Sequence, residues 1–198
     1  MERSTEKTER ETIIPVLQEV YCSFLPLIRG GVVPEFPLLL SVTKMCDPAR
    51  KLMAIEIIKK TSLPVRGAKG PVFQEGFCPM IVQGRAHPVF EHGVIIVGPL
   101  TNNEFLVVDP TIQMSINHWS HEGLFVSRPL KEGEIGDFLA EQYRVFFEGA
   151  PSPWEIDKEP YSLESLEEEA DQMIEQIGQQ REENQKVWEW VKKIFLEI

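Results

Sequence analysis

The stretch "MCDPARKLMAIEIIKKTSLPVRG", residues 45–67, decides the fold. Asp47 is a good N-cap and Pro48 a good first helical residue, so a helix is predicted from about Pro48 to Lys60. Leu52, Met53, Ile55 and Ile58 give that helix a surface to bury against a core. It gives way at once to "SLPVRG", whose β-branched valine and flanking Pro and Gly read as a short strand. A helix feeding directly into a strand, with more strands to follow, predicts an α+β fold with the helix packed on an antiparallel sheet. Cys46 stands at the very start of the helix, or in its first turn if Thr43 is the cap. Either way its sulfur lies near the positive end of the helix dipole, where a thiolate is stabilised.

Downstream the pattern is β. The segments CPMIVQGR, HGVIIVGP and NEFLVVDP are short, rich in Val and Ile, and separated by Gly, Pro or Asn. Asn102 and Asn103 tolerate positive φ, so residues 92–108 read as a hairpin turning there. Counting inward from both ends pairs 92–95 with 106–109, and His92 and Asp109 come side by side at the hairpin's open end. Upstream, Ile13, Leu17, Val20, Phe24 and Leu27 or Ile28 carry helical spacing through 11–28, interrupted by Pro15 and Pro26, with Pro15 expected in a first turn. Residues 29–44 read as a loop and a buried turn.

Residues 135–148 form another amphipathic helix, and the proline-rich 151–161 reads as a linker. A long C-terminal helix is expected over 162–198. Its Leu163, Leu166, Ala170, Met173, Ile177, Val187, Val191, Ile194 and Ile198 fall on a three-four alternation, a heptad seam. From Glu164 onward there are ten acidic residues against four basic ones, so this helix is strongly negative. The seam either packs on the parent domain, 1–150, or forms a homodimer or partner contact with Trp188 and Trp190 as anchors.

The chain has 198 residues, 42% of them hydrophobic and 26% charged, an ordinary globular composition that needs neither disulfide nor metal to hold a core. Three cysteines without framework spacing point to a reducing compartment. The charged N-terminus MERSTEKTERE lacks an apolar signal segment, and runs such as "GVIIVG" are too short to span a bilayer. A cytoplasmic protein without membrane contact is expected. The net charge of -11 disfavours nucleic acid as a partner.

A nucleophilic cysteine needs an imidazole to take its proton and a carboxylate or amide to orient that imidazole. Cys46, His92 and Asp109 supply these in order. The elements "CDPARKLMAIEIIKKTSLPVRGAKG", "HGVIIVG" and "FLVVDPT" resemble the transglutaminase-like superfamily of the papain-like fold. In that family a cysteine opens a helix, a histidine opens a strand, and an aspartate follows in a D-P-T signature. The resemblance spans about residues 41–115. It implies a papain-like core and a Cys46-His92-Asp109 triad that transfers or hydrolyses an amide, ester or thioester acyl group without a cofactor. Cys46 would attack the carbonyl, His92 would shuttle the proton, Asp109 would orient it, and the Cys46 N–H would hold the oxyanion.

"RGGVVPE" at 29–35 looks like the Arg-Gly-Gly-x-Cys-x-Glu element of the arylamine N-acetyltransferases. Val33 takes the cysteine position, however, and a valine cannot be acylated. His118 and His121 are spaced for a shared metal, which Cys78, His87 and His92 could join, but no Cys-x-x-Cys or His-Glu-x-x-His is present, and no metal is expected. Cys22 reads as packing on an apolar helical face. Cys78 reads as structural and as the best alternative thiol. Two functions follow: a cysteine acyltransferase, amidase or peptidase acting on a protein, peptide or small acyl substrate, or a non-catalytic module of the same fold that binds a protein or peptide. The absence of a glutamine shortly upstream of Cys46, where an oxyanion donor would stand, favours the second.

Overall fold

The computed structural model describes residues 9–29, 46–72, 80–82, 85–87, 90–110, 124–143 and 154–195. Helices α1 (Glu9–Arg29) and α2 (Cys46–Thr61) precede strands β1 (Val65–Val72), β2 (Met80–Val82), β3 (Arg85–His87), β4 (Phe90–Val97), β5 (Leu106–Asp109) and β6 (Phe125–Val126). A 3-10 turn (Glu132–Glu134), α3 (Ile135–Gln142), β7 (Glu155–Ile156) and α4 (Leu163–Phe195) complete the fold. The architecture is α+β. Five strands form an antiparallel sheet in the order β6-β5-β4-β1-β7, and β2 pairs with β3 apart from it.

The central strand β4 is buried on both faces, which is why its sequence is a continuous Val-Ile run and not an alternation with polar residues. Its register with β1 runs unbroken from Val65↔Val97 to Val72↔Phe90, with no bulge to switch faces. Ile95 and Val97, with Val65, Leu106 and Val108 of the neighbouring strands, pack against Leu52, Met53, Ile55 and Ile57 of α2, and α1 and α4 join that cluster. Val94 and Ile96, with Ala68, Phe105 and Val107, form the opposite face and pack against Ile135 and Leu139 of α3, Tyr143 and Trp154. Two cores therefore share one sheet.

The hairpin between β4 and β5 is antiparallel as expected, but its register lies two residues away from the one counted inward from the ends: Ile95 is opposite Val108 and not Leu106, so His92 is diagonal to Asp109 and not directly across from it. Asn103 takes a φ of 55° in its turn, the left-handed conformation that asparagine tolerates. Helix α1 runs through both Pro15 and Pro26, which do not interrupt it. Ile13, Leu17, Val20 and Tyr21 hold it to the core, and that packing carries the helix past the missing N–H groups.

Two expectations are corrected. Cys22 is exposed, because the buried stripe of α1 passes through Val20 and Tyr21 and leaves the next position on the outer side. Residues 154–161 are not a tether. Trp154 is buried in the second core, β7 pairs with β1, and the Tyr161 N–H donates to the Val65 carbonyl at 2.8 Å. Proline density reads as a linker, but prolines also suit a short edge strand that ends the sheet.

Helix α4 belongs to the same body. Leu166, Met173 and Ile177 are buried in the α2 core, and Lys51–Glu169 and Lys59–Glu167 ion pairs flank the crossing. Val187, Val191, Ile194, Trp188 and Trp190 continue the helix, their side chains outside those described. Because Met173 is buried and Ile174 beside it is 50% exposed, Met173→Ala is expected to cost about 3 kcal/mol and Ile174→Ala under about 0.5 kcal/mol in urea unfolding.

Candidate functional site

His92 is the third residue of β4 and shares its face with Val94 and Ile96. Asp109 ends β5 on the same face as Val107. The register that sets Ile95 opposite Val108 puts Asp109 diagonally beside His92, and the His92 Nε2 to Asp109 Oδ2 distance is 2.8 Å. His92 is 4% exposed and Asp109 fully buried. The Tyr143 hydroxyl donates to the same Asp109 oxygen. A carboxylate in its ionised form only accepts, and the tautomer that matches it carries the proton on Nε2 and the accepting lone pair on Nδ1.

Tyr143 follows the last turn of α3 and continues its buried stripe of Ile135 and Leu139 at four-residue steps. Its ring lies 5.2 Å from that of His92 and 4.9 Å from that of Trp154. Gly70 is the β1 residue opposite His92. A β-carbon there would come within 2.6 Å of the Trp154 ring, so only glycine lets the indole lie flat on the sheet beside the pair. The site is thus a chain of Trp154, Tyr143, Asp109 and His92 under one end of the sheet.

Cys46 opens α2, one residue earlier than the expected cap, and Asp47 falls inside the first turn with its carboxylate on Arg50 Nε at 2.9 Å. Arg50 is 4% exposed and crosses the other face of the sheet. β-carbons on Gly93 and Gly67 would lie 2.9 Å from its Cδ and 1.8 Å from its Nη1. The Tyr161 hydroxyl and an Asp157 carboxylate oxygen converge on the same Gly67 position. Burial pushes the Tyr161 phenol well above its ordinary pKa, against the opposing pull of the Arg50 charge, so it stays neutral here.

The structure therefore brings His92 and Asp109 together as expected. Helix α2 and His92 lie on opposite faces of the sheet, although the start of α2 and the pair are at the same end of it. The Cys46 side chain lies outside those described, as do Cys78, His87, His118 and His121. Among the described residues, no group of three or more His, Cys, Asp and Glu is placed to hold a metal, and no helix is long and apolar enough to cross a membrane. Sequence reasoning missed Tyr143, Trp154 and Arg50. The i, i+4 stripe ending at Tyr143 was the one signal that could have found it.

No family model, curated protein or solved structure matches the chain.

Asp109 accepts from two buried donors on two different elements. Asp109→Ala leaves both without that acceptor and is expected to cost about 3–5 kcal/mol, read as a lowered denaturation midpoint at unchanged m-value.

Proposed function

We propose that the chain carries out cysteine-dependent acyl transfer or hydrolysis on an amide, ester or thioester, with His92 as base, Asp109 as its orienting carboxylate and Cys46 as the thiol. The observation that carries this is the His92–Asp109 contact at 2.8 Å between two buried side chains on adjacent strands. A buried carboxylate holding one imidazole nitrogen is what a general base needs to present the other nitrogen in a fixed orientation. Cys46 begins α2 at the same end of the sheet, where the helix dipole favours a thiolate. The fold that goes with this reading is a papain-like or transglutaminase-like core. The substrate is a protein, a peptide or a small acyl donor, and the setting is a reducing, cytoplasmic one that keeps the thiol reduced. The Cys46 thiol gives its proton to His92 Nδ1 as the sulfur attacks the carbonyl, the imidazolium passes that proton to the departing group, and water or an amine, deprotonated by the same Nδ1, then takes the acyl group from the Cys46 thioester and regenerates the thiol.

A second reading is favoured by the faces of the sheet. Helix α2 packs on Ile95 and Val97, whereas His92 points with Val94 and Ile96 towards α3. On that reading the chain is a non-catalytic module of the same fold that binds a protein or peptide partner. Helix α4 suits this role, because it continues from Gly178 to Phe195 beyond Ile177, the last buried residue among those described, and Val187, Val191 and Ile194 fall on the seam read from the sequence. A partner helix or a second copy of the chain would add there.

Alkylation separates the two. Iodoacetamide labelling followed peptide by peptide against pH is expected to give Cys46 half-maximal reactivity below about pH 7.5, against about pH 8.5 for a free thiol such as glutathione labelled in the same solution. His92→Gln keeps a donor for Asp109 but takes no proton, and should return Cys46 to the free-thiol profile. A Cys46 profile that matches the free thiol in the wild type and is unmoved by His92→Gln overturns the acyl-transfer reading and leaves the second. Activation of Cys78 instead of Cys46 overturns the assignment of the thiol.

A further inference from the structure

We propose that Tyr143 is a positioning residue for the His92–Asp109 pair: its hydroxyl fixes the Asp109 carboxylate so that His92 is held as the Nε2–H tautomer with Nδ1 as the proton acceptor. This rests on the acyl-transfer reading for its purpose, but the placement itself is geometric.

Asp109 Oδ2 meets both His92 Nε2 and the Tyr143 hydroxyl. A carboxylate at the end of a strand has two torsions by which it can swing its oxygens, and a neutral imidazole can carry its proton on either nitrogen. A single His92–Asp109 hydrogen bond constrains the two groups only relative to each other. The hydroxyl adds a third point fixed from a separate element, because Tyr143 is anchored by the Ile135–Leu139 stripe of α3. Its ring is held in turn between His92 at 5.2 Å and Trp154 at 4.9 Å. Trp154 reaches that position because Gly70 has no side chain. Asp109 is thereby tied to α3 and to the segment that carries Trp154, not only to the neighbouring strand.

In the proton-transfer step Tyr143 keeps its own proton throughout. The thiol proton goes to Nδ1, the Nε2–H stays on Asp109, and the hydroxyl keeps donating to the carboxylate whose negative charge balances the imidazolium. Loss of the hydroxyl removes one of the donors that hold the carboxylate, so the Nδ1–H tautomer, in which Nδ1 is no longer an acceptor, becomes populated.

The test is nitrogen-15 correlation NMR of the His92 ring in the full-length protein at pH 8, for the wild type and Tyr143→Phe. The benzyl ring is retained in the variant, so its packing on His92 and Trp154 is kept. The expected result is a single Nε2–H tautomer in the wild type, a mixture of tautomers in Tyr143→Phe, and a Cys46 alkylation rate at pH 7 reduced about tenfold. Should Tyr143→Phe fail to fold, 3-fluorotyrosine at 143 replaces it, a near-isosteric and stronger donor that draws charge from the shared Asp109 oxygen and should move the Asp109-bonded Nε2–H proton resonance upfield. An unchanged tautomer in Tyr143→Phe, or an unmoved resonance in the fluorotyrosine protein, overturns the proposal and leaves Tyr143 as packing. A changed tautomer with Cys46 reactivity that ignores His92 supports the positioning and removes the acyl-transfer reading alone.

Discussion

Strand β4 is buried on both faces, and the two-residue period of its side chains divides the molecule. Gly93, Ile95 and Val97 belong to the layer of α2, and His92, Val94 and Ile96 to the layer of α3. With no bulge in the register to β1, a one-residue slip would exchange the two sets and move a histidine into the α2 core. The Val-Ile run alone would not resist such a slip, since valine and isoleucine serve either face. The polar and glycine positions fix it: His92 meets Asp109 on the α3 side, and Gly93 admits the Arg50 side chain on the α2 side.

The same strand pair carries a buried charged group on each face, and each is accommodated by missing side chains. On the α2 side, Arg50 lies over Gly67 and Gly93, with Asp47 bonded to its Nε. On the α3 side, Asp109 is held by His92 and Tyr143, and Trp154 covers Gly70. Taking either charge out of water costs several kcal/mol, and hydrogen bonds of good geometry are what offset it. Stability does not call for such groups in a sheet that already has two apolar cores. Their position at one end of the sheet, where α2 begins, is why function is sought there.

Much of this was legible in the sequence. Helix α2, the hairpin, the long C-terminal helix and the pairing of His92 with Asp109 follow from caps, β-branched runs and a turn at Asn102–Asn103. The face on which α2 packs was not legible, because Leu52, Met53, Ala54, Ile55 and Ile57 are buried nearly all round that helix by α1, α4 and the sheet together. A helix enclosed on several sides has no single apolar stripe to say which side meets the strands. Strands β6 and β7 are two residues long, too short for a period to show. Trp154 stands among prolines and was read with them as linker, although a lone tryptophan in such a stretch has to bury its ring somewhere.

The acyl-transfer reading turns on how the chain rounds the end of β4. A helix layer packs about 10 Å from a sheet, whereas a thiol and its base must approach to about 3–4 Å. Through the sheet that distance cannot close, because Gly93 and its β1 partner Lys69 lie between. Around the end it can, since β4 begins at Phe90 and His92 is only about 7 Å along the strand from it. Cys46 is the first residue of its helix, and a helix end, whose backbone groups lack intrahelical partners, unwinds at less cost than the middle of α2. The contact that opposes it is Arg50, one turn on, bonded to Asp47 and threaded across Gly93. Arg50, with the buried Pro48 and Ala49 just before it, therefore fixes how far the first turn of α2 can give, and Cys46 lies at the end that it anchors.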